Sequence, residues 1–204
     1  MPRFILGIAA SILLLAGLSG SDAQAANAPL EEALAEMSIG SADAPVTLHE
    51  YASLTCSHCA DFHTKTMPQI KKAYIDTGKV RLVFHDFPLG NLAMAGAMVA
   101  RCSGKNNFFP MIGAMFTSQE SWAHSDTPFE ALVGIARLSG MSENDVDACL
   151  DNTALLAELQ KRAKHANEVL GVQSTPTFFV EGKKIPGNMP FDDFKDVLDK
   201  ALAK

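Results

Sequence analysis

The chain has 204 residues, the size of one domain or of one domain that carries a large insertion. Hydrophobic residues make up 48% of it and charged residues 20%, which is typical of globular proteins. The net charge is −6 and the sequence has no cluster of Lys and Arg, so its composition argues against nucleic acid as a partner.

The first 25 residues (1–25) are predicted to be a signal peptide that is removed and takes no part in the fold. Arg3 provides a short positive start, and the apolar stretch Phe4–Leu18 is shorter than the roughly 20 residues of a membrane-spanning helix. Residues 23–25 fit the small-x-small rule for cleavage, so we expect the mature chain to begin at Ala26. An uncleaved membrane anchor is the alternative. Export would place the protein in an oxidising compartment, where a C-x-x-C pair can persist as a disulfide.

Residues 26–45 are expected to form a lead-in, with a short helical or disordered stretch followed by a turn over Ile39–Ala44. A strand is predicted to begin at Val46, because Val46 and Leu48 fall on one face and polar residues alternate with them. Glu50 lies on that apolar face, where a carboxyl group is costly unless it has a partner or a role. We therefore interpret Glu50 as a proton acceptor for a nearby cysteine. A solvent-facing glutamate in an edge strand is the alternative.

The motif that follows this strand carries the candidate chemistry. From Cys56 to about Thr77 the pattern is helical, with a kink or break expected at Pro68. Cys56 would then lie at a helix N-terminus, where unpaired backbone N–H groups and the helix dipole stabilise a thiolate. Cys59 lies one turn later and can attack a mixed disulfide formed at Cys56. The pair is therefore predicted to be a dithiol/disulfide exchange site.

Two other roles are open to this pair. A C-x-x-C motif is also half of a zinc site, and His63, four residues after Cys59, could supply a further ligand. The remaining cysteines, Cys102 and Cys149, are single and far apart, and two cysteines at one helix mouth are poorly splayed for tetrahedral binding. A purely structural disulfide between Cys56 and Cys59 would close too short a loop to stabilise the fold much. We expect no metal, and no cofactor beyond the redox-active cysteine pair itself.

The rest of the chain divides into three parts. A second strand is predicted over Lys79–Phe87, so residues 46–90 make a strand–helix–strand unit with parallel strands. Residues 91–170 are almost entirely helical in pattern, with helices expected at about 91–102, 108–118, 128–139, 143–150 and 153–170. Residues 171–204 return to the sheet as a β-hairpin and a closing amphipathic helix over Phe191–Ala203.

Cys102 and Cys149 both fall in the helical part. Free buried thiols that pack as small hydrophobic groups are one possibility. In an oxidising compartment we favour a structural disulfide between them, which would stabilise the fold by about 4 kcal/mol because it closes a long loop. Four methionines of this part could line an adaptable substrate groove, but their helical spacing favours an ordinary core position: Met94, Met98, Met111 and Met115.

The chain resembles the DsbA-like periplasmic thiol:disulfide oxidoreductases of the thioredoxin superfamily. The resemblance rests on HEYASLTCSHCADFH, KVRLVFHDFPL, the helical insertion, and STPTFFVEGKKIPG followed by a final helix. It implies an α/β thioredoxin fold with an inserted helical domain. It also implies that Cys56 is the exposed nucleophile, that Cys59 is the buried resolving thiol, and that Glu50 occupies the position of the family's buried acidic residue.

The same resemblance assigns roles to four further residues. Pro176 is implied to be a cis-proline that faces the active-site disulfide, with the backbone of Thr175 available to a substrate peptide. Ser57 and His58 match the dipeptide between the cysteines, which tunes the redox potential. His58 can in addition stabilise the Cys56 thiolate by a hydrogen bond or by charge.

The resulting hypothesis is a periplasmic enzyme that donates its disulfide to exported proteins through a mixed disulfide. The expected partners are unfolded or reduced exported proteins and, by resemblance, a membrane quinone-linked reoxidant of the DsbB type. The protein itself is expected to act as a monomer. Thr175, a residue common at this place in reductases and isomerases of the fold, supports a reductase or isomerase as an alternative. A binding or chaperone module with incidental cysteines is a second one.

Overall fold

The computed structural model describes Met1 and residues 27–204 of the chain. The predicted signal peptide and its cleavage site, apart from Met1, lie outside the described residues. Among residues 27–204, no helix combines the length and the apolar character needed to cross a membrane.

Within residues 27–204, five strands form one mixed sheet: β1 (Met37–Ile39), β2 (Val46–Ala52), β3 (Val80–Asp86), β4 (Thr177–Val180) and β5 (Lys183–Pro186). Their order across the sheet is β1-β3-β2-β4-β5. The two central strands β2 and β3 are parallel, and every other neighbouring pair is antiparallel. The predicted strand–helix–strand unit and C-terminal hairpin therefore belong to a single sheet, with β2 at its centre.

The lead-in contributes more to this sheet than its sequence predicts. A short helix α1 (Leu30–Ala33) is followed by β1, which pairs with β3 through the register Met37↔Phe84. The expected turn over Ile39–Ala44 therefore begins too early, because Ile39 is still part of β1. A three-residue strand is too short to show an alternating pattern, and its position is set by pairing with residues more than forty positions away.

The helix that follows the motif runs from Ser57 to Ile75 in segments of different width. Two α-helical segments, α2 (Ser57–Asp61) and α3 (Met67–Ile70), alternate with π-helical turns over Phe62–Thr66 and Lys71–Ile75. In place of the break expected at Pro68, the helix continues, and Pro68 lies in α3 directly after the widened turn over Phe62–Thr66. Because Pro68 has no N–H group for the carbonyl of Thr64, four residues earlier, a wider turn becomes favourable over Phe62–Thr66.

The helical part contains six α-helices within the described chain: α4 (Asn91–Cys102), α5 (Lys105–Thr117), α6 (Gln119–Ala123), α7 (Pro128–Ala136), α8 (Glu143–Leu150) and α9 (Thr153–Glu168). The short helix α6 is absent from the sequence prediction, and α5 begins three residues earlier than expected. Ser142 and Asp145 close a capping box at the start of α8, as their spacing suggests. The chain ends in α10 (Phe191–Leu202).

The core lies between the sheet and these helices. Along β2 the residues facing it alternate with partly exposed ones, and all four are buried: Val46, Leu48, Glu50 and Ala52. Phe62, Phe178 and Phe194 bring the motif helix, β4 and α10 together, with ring centroids 4.7 to 5.4 Å apart. Met98, Met111 and Met115 are buried in this core, while Met94 is only partly buried against it. This packing fixes the motif helix against β4 and α10.

Candidate active site

The motif begins in the turn between β2 and α2. Cys56 has an extended backbone and stands directly before the first helical residue, Ser57. The Cys56 N–H donates to the carbonyl of Ser53 at 3.1 Å, and the Cys56 carbonyl accepts from the N–H groups of Cys59 at 3.0 Å and Ala60 at 3.1 Å. The strand, turn and helix thus place the Cys56 sulfur at the N-terminus of the helix, as the sequence predicts.

The surroundings of Cys56 favour a thiolate. Its side chain is partly exposed, and in the thiol form its sulfur donates to the backbone carbonyl of Thr175 at 3.3 Å. Hydrogen bonds lower the pKa of this thiol to about 5, the largest contribution coming from the Cys59 thiol, with further ones from the Thr175 side chain and from the backbone N–H groups of Cys59 and His58. Burial acts in the opposite direction but does not overcome these donors. Cys56 is therefore mostly ionised near neutral pH.

Cys59 has the opposite character. Its thiol is fully buried, and burial is the main cause that raises its pKa far above the usual range. The hydrogen bond to Cys56 and the negative charges of Cys56 and Glu50 raise the pKa further. One sulfur of the pair is thus an accessible nucleophile and leaving group, while the other is a protected thiol that reacts only inside the site.

Thr175 and Pro176 lie across from the motif, joined by a cis peptide bond. The backbone carbonyl of Thr175 is the group that contacts the Cys56 sulfur. The buried hydroxyl of Thr175 has no hydrogen-bond partner among the described residues while Cys56 is a thiol. A Cys56 thiolate would give this hydroxyl an acceptor, in agreement with its contribution to the low Cys56 pKa. The structure therefore brings together the two segments, 119 residues apart, that the resemblance assigns to one site.

Ser57 and His58 occupy the first turn of α2 and are both exposed. Their side chains are therefore open to solvent next to Cys56 in the chain. The backbone N–H of His58 is one of the groups that lower the Cys56 pKa. The dipeptide is thus placed where its side chains can modulate access while its backbone stabilises the thiolate.

Glu50 lies in the central strand β2, upstream of the cysteines, and has no exposed surface. This position differs from the edge-strand alternative. Its partner is His63 on the motif helix, whose Nε2 lies 2.9 Å from Oε1 and 3.1 Å from Oε2 of the carboxyl group. His63 therefore contacts Glu50, and no group of three or more His, Cys, Asp or Glu side chains in the described part of the chain is arranged to hold a metal ion.

Gln119 is a residue of the site that sequence reasoning missed. It begins α6 in the helical part and is buried, and its side-chain amide donates to the carbonyls of Leu54 at 2.8 Å and Cys56 at 3.1 Å. The helical part thus holds the turn that carries the nucleophile. A single glutamine more than sixty residues from the motif carries no local signal of this contact.

Cys102 and Cys149 are joined in a disulfide that links α4 to α8. Their Cα atoms are 6.1 Å apart, and both residues are buried. This pair belongs to the core of the helical part, whereas Cys56 and Cys59 are free thiols.

The chain is similar to known proteins both in sequence and in structure. The family model described as thioredoxin matches residues 32–200. The crystal structure of Wolbachia pipientis alpha-DsbA1 is 31% identical, with a TM-score of 0.77 over 82% of this chain and 91% of that one. This chain belongs to the thioredoxin superfamily, among its DsbA-like proteins. Its fold class is therefore the predicted one, a thioredoxin fold with an inserted helical domain.

Relatives of this DsbA-like chain carry names from disulfide chemistry. It is 25% identical to disulfide bond formation protein D of Bacillus subtilis, over 80% of this chain and 76% of that protein. It is 34% identical to a Rickettsia conorii protein that is provisionally named a protein-disulfide oxidoreductase. That match covers 82% of this chain but only 60% of the Rickettsia protein, so the chain spans about three fifths of that relative's length.

Proposed function

We propose that this DsbA-like protein is a thiol–disulfide oxidoreductase that donates the Cys56–Cys59 disulfide to exported proteins. The observation that carries the proposal is the contrast within the pair, an acidic, partly exposed Cys56 and a buried Cys59 whose pKa is strongly raised. A stabilised Cys56 thiolate favours the reduced form of the enzyme, and a protein whose reduced form is stabilised gives its disulfide away readily.

The reaction follows from this contrast. A substrate thiolate attacks the Cys56 sulfur and forms a mixed disulfide, while the bond between Cys56 and Cys59 breaks and Cys59 takes up a proton. A second substrate thiolate then attacks the substrate sulfur of the mixed disulfide. A substrate disulfide forms and Cys56 leaves as a thiolate, a good leaving group because of its low pKa. Two electrons pass from the substrate dithiol to the enzyme, which ends in the reduced form.

Glu50 is assigned the proton exchange at Cys59. It is buried, and its negative charge is one of the lesser causes that raise the Cys59 pKa, so the two groups are close enough for their charges to interact. The buried thiol must gain a proton when it leaves the disulfide and lose one when the disulfide reforms. A carboxyl group beside it can serve as the donor and acceptor for both steps.

The proposed location and substrates are supported by the sequence and by the names of the relatives. The N-terminal apolar segment supports export to the periplasm with removal of residues 1–25, and the disulfide-formation names of relatives support reduced exported proteins as substrates. A donor must be reoxidised after each turnover, and a membrane quinone-linked partner of the DsbB type fits that need. Like the monomeric state, this partner is proposed on the resemblance alone.

A reductase or isomerase is the second candidate function, and the residue before the cis-proline favours it. Thr175 precedes the cis-proline and contributes to the surroundings of Cys56, and the resemblance associates a threonine there with reductases and isomerases as well. The measurement that separates the two is the reduction potential of the Cys56–Cys59 pair, determined by equilibrating the mature protein in glutathione buffers. We expect a reduction potential of about −120 mV, the range of a strong oxidant. A value near about −270 mV, as in thioredoxin, would replace the donor with a reductase.

A binding or chaperone module is separated by a second experiment. The double variant Cys56→Ala/Cys59→Ala removes both sulfurs of the pair, which would leave a pure binding function intact. We expect the variant to lose all ability to oxidise a reduced model protein, scored by the regain of that protein's activity. Full activity in the variant would show that the cysteines are incidental.

A further inference from the structure

Glu50 has no direct route to water. Its side chain has 0% of its surface exposed, and it lies in the central strand β2 between β3 and β4. Cys59 is buried as well. A proton that Cys59 releases to Glu50 has to leave the core through a neighbouring group, and a buried charge without a partner would be costly meanwhile.

His63 is the group that meets both needs. Its Nε2 lies within hydrogen-bond distance of both Glu50 oxygens, at 2.9 and 3.1 Å, and its side chain retains 8% exposure, whereas Glu50 retains none. The residue belongs to the π-helical turn Phe62–Thr66, one turn after Cys59 on the same helix. Its ring thus connects the closed carboxyl group with the edge of the core.

Aromatic residues fix the ring in this position. The imidazole stacks on Phe116 with centroids 4.2 Å apart and an angle of 18° between the planes. Phe84 and Phe62 meet it edge-on at 6.0 and 5.4 Å. Apolar walls strengthen a hydrogen bond inside them because they exclude competing water, and they restrict the ring to the orientation that faces Glu50.

We propose that His63 is the proton-exchange partner of Glu50 in the steps that form and break the Cys56–Cys59 disulfide. The inference rests on the proposed function, because it concerns the same cysteine pair. His63 acts through Glu50 and does not touch the sulfurs, so it is a positioning residue for the proton acceptor and the outlet for its proton.

The Cys56–Cys59 disulfide forms from a mixed disulfide at Cys56. The Cys59 sulfur bonds to the Cys56 sulfur, the bond from Cys56 to the outer sulfur breaks, and the outer group leaves as a thiolate. The Cys59 proton goes to the Glu50 carboxylate. The imidazolium of His63 loses a proton to solvent at the same time. A carboxylate–imidazolium pair thus becomes a carboxylic acid–imidazole pair, and the core gains no net charge.

The test isolates this step in a single turnover. The Cys56 thiolate of the reduced mature protein attacks the symmetrical disulfide of thionitrobenzoate, which releases one coloured thionitrobenzoate and leaves the other on Cys56. Attack by Cys59 then releases the second thionitrobenzoate, and stopped-flow absorbance separates this phase from the first because its rate does not depend on the reagent concentration. No protein substrate or reoxidant is needed, so the rate of the second phase reports how fast Cys59 gives up its proton and attacks.

Three variants separate proton exchange from packing. His63→Gln keeps an N–H donor toward Glu50 but cannot exchange a proton, and His63→Phe keeps a ring stacked on Phe116. His63→Ala leaves a space for added imidazole. His124→Gln is the matched control, because His124 also pairs with a glutamate, Glu120 at 3.1 Å, but at the surface with 65% of its side chain exposed.

We expect release of the second thionitrobenzoate to slow by about 10- to 100-fold in all three His63 variants, which is at or below the lower end of direct general acid–base effects because His63 acts through Glu50. Added imidazole should restore the rate of His63→Ala only, and His124→Gln should match the unsubstituted protein. Thermal unfolding of each variant identifies any loss of fold. An unchanged rate in folded His63→Gln overturns the inference and leaves the proposed function standing. If the unsubstituted protein releases no second thionitrobenzoate, the inference about His63 and the proposed function fail together.

Discussion

The two cysteine pairs of this protein differ in almost every physical respect. Cys56 and Cys59 are three residues apart at the mouth of α2, and the sulfur of Cys56 reaches the surface. Cys102 and Cys149 are 47 residues apart, join α4 to α8 and are both buried. The first pair stands free as thiols, and the second is a disulfide. One chain therefore contains a pair suited to exchange and a pair suited to permanence.

The surroundings of each pair explain why one disulfide is reactive and the other is not. Exchange needs an accessible sulfur and a thiolate, and the helix N-terminus with its donors provides both at Cys56. Neither Cys102 nor Cys149 is exposed, so an incoming thiolate cannot reach that bond while the helical part is folded. Spacing contributes as well, because a loop closed by Cys56 and Cys59 restrains little of the unfolded chain, whereas the longer loop restrains much.

Removal of the Cys56 sulfur should have the largest effect. We expect Cys56→Ala to abolish oxidation of a reduced peptide, because no other sulfur of the pair is accessible. When Cys59→Ala is offered an oxidised peptide instead, its Cys56 thiolate should attack the peptide disulfide and accumulate as a mixed disulfide, which mass spectrometry detects, because the resolving thiol is missing. The matched control is Cys102→Ala/Cys149→Ala, which should retain the rate of peptide oxidation. A large loss of rate in that control would contradict the division of roles between the pairs.

The pH dependence of Cys56 should be the next largest effect. Its pKa is about 5 in the folded protein, against 9.0 for an ordinary thiol on the same scale. Alkylation by iodoacetamide should therefore be constant above about pH 6 and fall roughly tenfold per pH unit below about pH 5, since the thiolate reacts. Because the folded pKa is the lower one, ionisation of Cys56 stabilises the reduced fold fully above the unfolded pKa. That stabilisation is lost as the pH falls through about 5.

Mass spectrometry of the alkylated protein supplies the control for this titration. Under native conditions Cys56 should be the modified residue, while the disulfide-bonded Cys102 and Cys149 remain unmodified. A midpoint near pH 8 or 9 would show that the donors around Cys56 do not stabilise its thiolate.

Loss of the second pair should affect stability instead of exchange. Cys102→Ala/Cys149→Ala removes a link across 47 residues, and the chain-entropy relation assigns such a link about 4 kcal/mol. Urea unfolding of the two proteins, both with the Cys56–Cys59 pair reduced, measures the difference in the free energy of unfolding. The reduction potential of Cys56–Cys59 should stay the same. A potential that shifts with this variant would show that the two pairs are coupled through the fold.

Sequence alone predicts the parts of this fold that local signals specify. The strand before Cys56, the helix after it and the capping box at Ser142 all follow from residue patterns a few positions long. The pairing of β1 with β3 does not, because it depends on residues that meet only in the folded sheet. The resemblance brings Thr175 and Pro176 to the site, and no periodicity in the chain would have done so.

The same limit explains which site contacts were missed. Spacing places His63 on the helical face of Cys59 and raises the idea of a metal ligand, but it says nothing about Glu50, which is its partner in the structure. Gln119 reaches Leu54 from a separate helix, across 65 positions of sequence. Each contact is formed by packing two elements together, and a pattern within one element cannot show it.

Removal of the hydrogen bonds from Gln119 to the turn that carries Cys56 should have the smallest effect. Gln119→Leu keeps the size of the side chain but removes both N–H donors, which leaves the Leu54 carbonyl without its partner. An unpaired buried group costs about 1 to 3 kcal/mol, so we expect that decrease in the free energy of unfolding by urea. Gln69→Leu is the matched control, because Gln69 also donates to a backbone carbonyl, that of Lys65, but at the exposed surface.

Hydrogen exchange tells where Gln119 acts. If the helical part holds the turn in place, Gln119→Leu should increase exchange at the amides of residues 53–60 and leave those of α8 unchanged, because Cys149 and its disulfide are untouched. Equal increases in both regions would mean that the substitution loosens the whole helical part. The two cysteine pairs would then differ in the exposure and ionisation of their sulfurs, but not in how firmly the surrounding structure holds each pair.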